Sequence, residues 1–204
     1  MWRNRKIFLI AIVAIVLLLS IILCFSSCKN ESAESSQKIH IPQVLEEGDL
    51  VLRRGNSLLS GLIAQYFPEG RGMSHVGIII FEEGSPYVVH SISGRLEKTD
   101  GIRIDPLDKF CKQAHEAEYH FISPLFEIDR GIMGQRVRHY LAEKTPFDHS
   151  FDLEDDEAMY CSELIRSVYL QSGAEDIFHY GEIGGIKLLD LASFFDERYW
   201  QLVE

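Results

Sequence analysis

The chain contains few cysteines, four in 204 residues. Cys24 and Cys28 belong to an apolar N-terminal segment, which leaves Cys111 and Cys161 for the folded part. The sequence has no CxxC motif and no paired Cys/His spacing, so nothing indicates a structural zinc site, and we expect neither a metal nor a cofactor. Cys111 and Cys161 could form one disulfide in an oxidising compartment, but a domain of this size buries enough apolar surface to fold without it.

Acidic residues are absent from residues 1–27, which hold three of the 20 Lys and Arg residues. The remainder carries 17 basic and all 31 acidic residues, a net charge of −14. A field of that sign repels phosphate, and no local basic stripe opposes it, so we expect no nucleic-acid partner. A neutral, zwitterionic or cationic partner fits the charge better. The sequence does not fix the oligomeric state.

The first 27 residues predict export. A short basic segment precedes nineteen residues, Ile7 to Phe25, that carry no charge, a pattern typical of a secretory signal or a membrane anchor. The segment ends in Phe25-Ser26-Ser27-Cys28, which resembles a bacterial lipobox. That resemblance implies that Cys28 is lipidated and tethers the protein to a membrane of the cell envelope. An uncleaved transmembrane anchor and a soluble secreted form remain alternatives. Residues 28–40 are polar and predict a tether.

Residues 41–204 show no second linker and no internal repeat, so one domain is expected. The order of strand and helix patterns is mixed, which predicts an α+β fold. The predicted strands are 48–54, 75–81, 86–92, 102–104 and 119–122. The predicted helices are 57–67, 107–115, 131–143 with Ile132, Val137, Tyr140 and Leu141 inward, and 161–173 with Gly173 as its C-terminal cap.

His75 and His90 fall on one face of a predicted hairpin. A symmetric turn around Glu82 to Ser85 pairs residue i with residue 167 − i, which places His90 opposite Gly77 and diagonal to His75. Diagonal side chains on one face are within reach of each other when they are long. Either histidine could instead be a buried, hydrogen-bonded core residue.

Cys161 lies at the predicted start of the last helix, after an acidic loop. The positive end of the helix dipole favours a thiolate and is expected to lower the pKa of this thiol. A nearby imidazole would complete a pair of the kind used in covalent catalysis. The alternative is a buried, inert cysteine, and Cys111 has no helix-start signal and fits that alternative.

Four ordered motifs resemble a known family. They are Gly48-Asp49-Leu50-Val51, Ser74-His75-Val76-Gly77-Ile78, Val89-His90-Ser91 and Tyr160-Cys161-Ser162-Glu163-Leu164-Ile165. Together they are similar to the YaeF/YiiX (YiiX/YebB-like) branch of the NlpC/P60 superfamily, the circularly permuted papain-like cysteine hydrolases. The resemblance implies an antiparallel sheet packed against helices, with the histidine before the cysteine in the chain.

The resemblance also implies roles for individual residues. Cys161 would be the nucleophile, His75 the general base and later the general acid, and His90 the third polar residue that orients the imidazole. In the YiiX-like group that third residue is often a glutamate, whereas lecithin:retinol acyltransferase relatives have histidine. The backbone N–H of Cys161 is placed to stabilise an oxyanion. Tyr160 and Asp49 are further candidates for support, although a packed aromatic and a turn-forming carboxylate are alternatives.

Two other polar segments are weaker candidates. Asp148-His149-Ser150 offers the residue types of a triad, but triads are recognised by geometry, and neighbours this close in sequence usually point apart. The acidic loop 152–157 lacks the glycine and terminal glutamate of a calcium-binding EF-hand loop, so a solvated loop that favours amine-bearing substrates is the better interpretation.

Three functions are consistent with the sequence. The first is an envelope-tethered cysteine hydrolase that cleaves an amide bond in a peptide or cell-wall peptide through a thioester. The second is a thioester-forming acyltransferase or lipase acting on lipid, which His90 favours and which would need an apolar mouth around Leu58, Leu59, Leu62 and Phe67. The third is a non-catalytic binding lipoprotein of the same fold.

Overall fold

The computed structural model describes residues 39–94 and 100–204. The predicted export segment, the predicted lipidation site at Cys28 and the predicted tether up to residue 38 lie outside the described residues. Within the two described ranges, no helix has both the length and the apolar character needed to cross a membrane. Residues Ile39–Glu204 form one unit.

The main sheet of the described chain is antiparallel throughout, with the strand order β4-β3-β2-β1-β5-β8. Its strands are β1 (Leu50–Arg53), β2 (His75–Glu82), β3 (Ser85–Ile92), β4 (Gly101–Pro106), β5 (Tyr119–Pro124) and β8 (Trp200–Val203). A separate hairpin consists of β6 (Tyr180–Ile183) and β7 (Ile186–Leu189). With its helices, the molecule has the predicted α+β class.

The β2–β3 hairpin has the predicted register, since Ile78 lies opposite Val89. Its two central turn residues, Glu83 and Gly84, have positive φ angles of 51° and 79°. Two successive positive φ values are characteristic of the tight turn whose twist matches that of paired strands. The turn therefore fixes which side chains of β2 and β3 share a face.

The helices of the described chain lie close to their predicted positions. They are α1 (Leu58–Tyr66), α2 (Leu107–Lys112), α3 (Arg130–Glu143) and α4 (Cys161–Gln171), with short 3₁₀ segments at Pro68–Gly70, His115–Ala117 and Leu191–Phe195. The Ser57 side chain caps α1 by accepting a hydrogen bond from the Ser60 N–H. Gly173 follows α4 with a φ of 96°, the conformation that favours glycine after a helix.

Helix α4 packs against β2 and β3 and positions its first residue, Cys161, beside the sheet. Val76 and Ile78 of β2 are buried on the helix-facing side of the sheet. Ile79 of the same strand is buried on the opposite side, in a second cluster that includes Phe110. Both faces of β2 are covered. A polar side chain of this strand can therefore line a cavity only at one of the two strand ends.

Two parts of the fold differ from the sequence prediction. Ile132 was expected to face the core but is 39% exposed, and Met133 is buried in its place. Val137 and Tyr140 are buried and Leu141 packs against the core, as predicted. Residues at i, i+4 and i+7 lie on one helix face, whereas Ile132 is turned about 100° away from Met133. The strands β6, β7 and β8 were not predicted, because each has only four residues and a weak polar–apolar alternation.

Candidate active site

A cavity of about 630 Å³ has both Cys161 and His75 in its wall. Cys161 is the first residue of α4 and His75 is the first residue of β2, so the cavity lies where these two elements begin. Part of the remaining wall is apolar and comes from Ile63, Ile92, Phe147 and Phe151. Polar side chains also line it, among them Arg53, Asn56, Ser60 and Gln113. The cavity is large enough to enclose a peptide segment or an acyl chain.

The Cys161 thiol is half-buried in this wall and is a free cysteine. Burial raises the pKa of the thiol, and hydrogen bonds from the backbone N–H groups of Val76, Ser162 and Cys161 itself act in the opposite direction without cancelling it. The prediction that the helix N-terminus lowers this pKa is therefore wrong, because loss of solvation outweighs the helix dipole. Because the Val76 N–H donates a hydrogen bond to the sulfur, Cys161 Sγ lies beside the peptide bond that joins His75 to Val76.

His75 and His90 are in contact, as the hairpin register predicts. Nε2 of His75 and Nδ1 of His90 lie 2.8 Å apart and share a hydrogen bond. This bond occupies Nε2 of His75 and leaves Nδ1 as its second ring nitrogen. The hydrogen bonds of the described residues include none between the Cys161 sulfur and His75, and catalytic contacts of this kind commonly tighten only when substrate binds.

The two imidazoles are held in place by packing as well as by their hydrogen bond. The Phe110 ring stacks on His75 with centroids 5.6 Å apart and meets the His90 ring edge-on at 5.1 Å. Gly77 leaves the space that His90 occupies, since a Cβ atom there would lie 3.2 Å from the His90 Cβ and 2.3 Å from a Val88 methyl. The glycine between the two histidines is thus a packing requirement of the pair.

Asp105 extends the chain of polar groups and was missed by the sequence analysis. Its Oδ2 lies 3.1 Å from Nε2 of His90, the nitrogen that does not face His75. Asp105 is on β4, two residues after Arg103, which lies directly opposite His90 in the β3–β4 register. The one signal in the sequence was a period-two pattern, with Arg103 and Asp105 on one face of the strand and Ile102 and Ile104 on the other.

Two cations hold the Asp105 carboxylate in its ionised form. Arg103 Nε lies 3.0 Å from Oδ2, and Lys109 Nζ lies 2.7 Å from Oδ1. Burial acts to raise the pKa of Asp105, but the hydrogen bonds from His90 and Lys109 and the charge of Arg103 outweigh burial and hold it below its usual range. Asp105 is therefore a carboxylate at neutral pH.

Both histidines are neutral at neutral pH. Burial lowers the pKa of His90 to about 4, the charge of Arg103 acts in the same direction, and the hydrogen bond to Asp105 opposes them. Burial also lowers the pKa of His75 well below its usual value, with additional repulsion from His90, Arg53 and Arg103. A neutral imidazole can accept a proton, so His75 has the state that a general base requires.

Tyr160 and Asp49, the two predicted support residues, are not among the residues that line the cavity. The Tyr160 hydroxyl is buried and accepts a hydrogen bond from the Leu189 N–H at 2.9 Å. Asp49 is also buried, and its carboxylate accepts hydrogen bonds from the Glu46 N–H, the Ser123 hydroxyl and Arg130. The Tyr160 contact joins the start of α4 to β7, and the Asp49 contacts hold the turn before β1. They correspond to the packed aromatic and turn-forming alternatives.

Asp148, His149 and Ser150 do not form a triad. Asp148 accepts hydrogen bonds from the Ser150 N–H and hydroxyl, while His149 pairs with Asp100 at 3.1 Å. Within residues 39–94 and 100–204, no group of three or more His, Cys, Asp or Glu residues is arranged to hold a metal ion, including the acidic loop 152–157.

Cys111 and Cys161 are both free thiols, so the disulfide considered from the sequence is not formed. Cys111 is buried in the second core cluster beside Leu107 and Phe110. Burial raises the pKa of its thiol to about 12. The interpretation of Cys111 as an inert core residue agrees with this environment.

The fold and this site are those of a papain-like cysteine hydrolase in which the histidine precedes the cysteine. Residues 44–183 match the family model of permuted papain-like amidase enzymes, YaeF/YiiX, C92 family, and the chain belongs to that family. The crystal structure of metalloprotein YiiX from Escherichia coli O157:H7 is similar in fold, with a TM-score of 0.64 and 17% identity over 78% of this chain and 96% of that one. No curated protein matches the chain. The predicted family and fold are confirmed.

Proposed function

We propose that the protein hydrolyses an amide bond, in a peptide or cell-wall peptide, through a thioester on Cys161. The observation that carries this proposal is the common cavity of Cys161 and His75, together with the hydrogen bond between Nε2 of His75 and His90. Membership of the amidase family supports the same reaction class.

The reaction begins from a neutral thiol and a neutral imidazole. As the substrate carbonyl approaches, His75 Nδ1 takes the proton of Cys161, and the sulfur forms a bond to the carbonyl carbon. The imidazolium then gives this proton to the leaving amine as the C–N bond breaks. A water molecule then attacks the thioester carbonyl while His75 takes one of its protons. The C–S bond breaks, the imidazolium returns the proton to the sulfur, and the acid product leaves a neutral thiol and a neutral imidazole.

The negative charge that develops on the substrate oxygen needs hydrogen-bond donors. The first backbone N–H groups of a helix have no partner within the helix and lie at the positive end of its dipole. The N–H of Cys161, at the start of α4, is such a group. We assign it to the oxyanion, as the sequence predicted, and we assign Tyr160 to packing.

Lipid acyl transfer through the same thioester is the second candidate. His90 in the third position favours it, and the cavity wall includes the apolar side chains Phe147, Phe151 and Ile63. Of the four residues expected to form an apolar mouth, Phe67 is buried, and the side chains of Leu58, Leu59 and Leu62 lie outside the described part of the structure.

A panel of substrates separates the two candidates. The protein is incubated with peptide amides, including amine-bearing cell-wall peptides, and with lipid esters, and products are identified by mass spectrometry. Amide cleavage that is lost in Cys161→Ser but retained in Cys111→Ser supports the first candidate. Acyl transfer from lipid without amide cleavage contradicts it and supports the second.

We further propose that the enzyme is tethered to the cell envelope through a lipid on Cys28. The support is the sequence pattern alone, a basic and apolar segment followed by Ser26-Ser27-Cys28 and a polar stretch. The test is metabolic labelling of the full chain with an alkyne fatty acid. Labelling that is absent in Cys28→Ala supports lipidation, whereas an unlabelled chain that stays in the membrane fraction indicates an uncleaved anchor.

A further inference from the structure

We propose that Asp105 is a positioning residue that fixes the tautomers of His90 and His75, so that the lone pair of His75 lies on Nδ1, the nitrogen available to Cys161. The proposal deepens the proposed function and rests on it, because it assigns His75 the role of base. The carrying observation is the continuous hydrogen-bonded chain from Asp105 through His90 to His75.

The positions of the protons follow from the carboxylate. An ionised Asp105 can only accept hydrogen bonds, so Nε2 of His90, 3.1 Å from Oδ2, must carry a hydrogen. A neutral imidazole has one N–H, which leaves Nδ1 of His90 as an acceptor. Nε2 of His75, 2.8 Å away, must then be the donor, and Nδ1 of His75 keeps its lone pair. Through these two hydrogen bonds, the negative charge of Asp105 determines that Nδ1 of His75 is the nitrogen without a hydrogen.

Arg103 competes for the same nitrogen of His90. Its Nε–H is directed at Nε2 of His90 over 3.4 Å, and the same Nε forms an ion pair with Oδ2 of Asp105 at 3.0 Å. In the native protein Nε2 of His90 donates to the carboxylate, because this charge-assisted hydrogen bond is shorter and stronger than the contact between Arg103 and the neutral imidazole. Without the carboxylate, Arg103 would be left as the donor at Nε2 of His90, and every hydrogen bond in the chain would reverse. Nδ1 of His75 would then carry the hydrogen and could not accept the thiol proton.

The direction of the hydrogen bond between His75 and His90 also determines whether His75 can become an imidazolium. In the native arrangement a proton added at Nδ1 leaves the bond from Nε2–H to His90 intact. In the reversed arrangement His90 Nδ1 donates to Nε2 of His75, so protonation of both His75 nitrogens would bring two N–H groups together. The charged groups that face this chain are Arg103 on β4, Lys109 on α2 and Arg53 on β1.

The tautomers can be read directly by ¹⁵N NMR of ¹⁵N-histidine-labelled full-length protein, with His75→Gln and His90→Gln used for assignment. We expect Nε2–H in both histidines of the native protein and Nδ1–H in both histidines of Asp105→Ala. Asp105→Asn should keep the native tautomers. Two donors, His90 Nε2–H and Arg103 Nε–H, lie beside the Oδ2 position, so the asparagine should place its amide oxygen there and accept from His90 as the carboxylate does. Asp108→Ala is the matched control, since Asp108 is exposed and pairs with Lys112.

Turnover of an activated ester provides the second readout. Asp105→Ala should lower the rate by about 10²- to 10⁴-fold, the contribution of a positioned general base, and Asp105→Asn by only about tenfold. Native tautomers retained in Asp105→Ala would overturn the proposal, and so would reversed tautomers in Asp105→Asn with full activity. If the tautomers change as expected but even the native protein forms no acyl-enzyme, the proposed function fails and the assignment of Asp105 stands. If Asp105→Ala does not fold, Asp105→Leu, which removes the acceptor and refills most of the volume, takes its place with the same expected reversal of both tautomers.

Discussion

Acidification should weaken the fold through His90, the most completely buried titratable group of the site. Its side chain has no exposed surface, and burial lowers its pKa to about 4. In the unfolded chain the same imidazole titrates near its ordinary value of about 6.5. Between these two values the unfolded state binds more protons than the folded state, so the free energy of unfolding falls as the pH falls from 6.5 to 4.

The size of the effect follows from the two pKa values. The pKa of His90 differs by about 2.5 between the folded and unfolded states, and each pKa unit is worth about 1.36 kcal/mol. The free energy of unfolding is therefore lowered by roughly 3 kcal/mol at pH 4 and is almost unchanged at pH 7. Asp105 does not cancel this contribution, because its pKa is lowered and its own loss of stabilisation occurs at more acid pH. A loss of this size is a large share of the stability of an ordinary domain.

Urea unfolding at pH 4 to 7 measures the effect, with His90→Gln as the matched variant, since glutamine can replace both hydrogen bonds without titrating. The difference between the two proteins removes the contributions of all other groups. We expect this difference to shift by roughly 3 kcal/mol between pH 7 and pH 4, to the disadvantage of the native protein. A difference that stays constant over this range would refute the reasoning.

Three further predictions follow from the site. The acid limb of the kcat/KM profile should lie below pH 6.5, because burial lowers the pKa of His75, and a limb above 6.5 would contradict this environment. Burial raises the pKa of Glu163 to about 8, so the native protein should lose stability relative to Glu163→Gln as the pH rises from 4.5 to 8. The loss should be on the order of 4 kcal/mol in urea unfolding, and a difference that does not change with pH would contradict it. Gly77→Ala should cost about 1–3 kcal/mol of stability and displace His90, since the new methyl lacks space, and an unchanged unfolding midpoint and activity would exclude this packing role.

The histidine pair could be predicted from sequence because a short turn fixes the register of the two strands it joins. Glu83 and Gly84 close the hairpin, and the pairing of His75 with His90 follows by counting. The contact of Asp105 with His90 could not be predicted by counting. Residues 93–100 separate β3 from β4, and a connection of that length does not fix the register of the two strands.

The direction of the pKa shift of Cys161 could not be predicted from the sequence either. The start of a helix is visible as a pattern, and its dipole predicts a lowered pKa for Cys161. Whether the thiol is solvated depends on what the fold places around it, and burial reverses the direction. The short strand β8 forms through its pairing with the distant strand β5, which no local pattern reports. The hairpin of β6 and β7 is local, and its signal in the sequence was the Gly184-Gly185 pair, whose positive φ angles form the turn.

Acylation by p-nitrophenyl acetate shows whether Cys161 is a nucleophile and whether His75 serves as its base, as we propose. The protein is quenched at short times, and the acetyl group is located by mass spectrometry. We expect acetylation of Cys161 and not of Cys111, slowed by about 10²- to 10⁴-fold in His75→Gln. His149→Gln is the control, because His149 lines the same cavity without contacting His90. Equal acetylation of Cys111, or an unchanged rate in His75→Gln, would contradict the account.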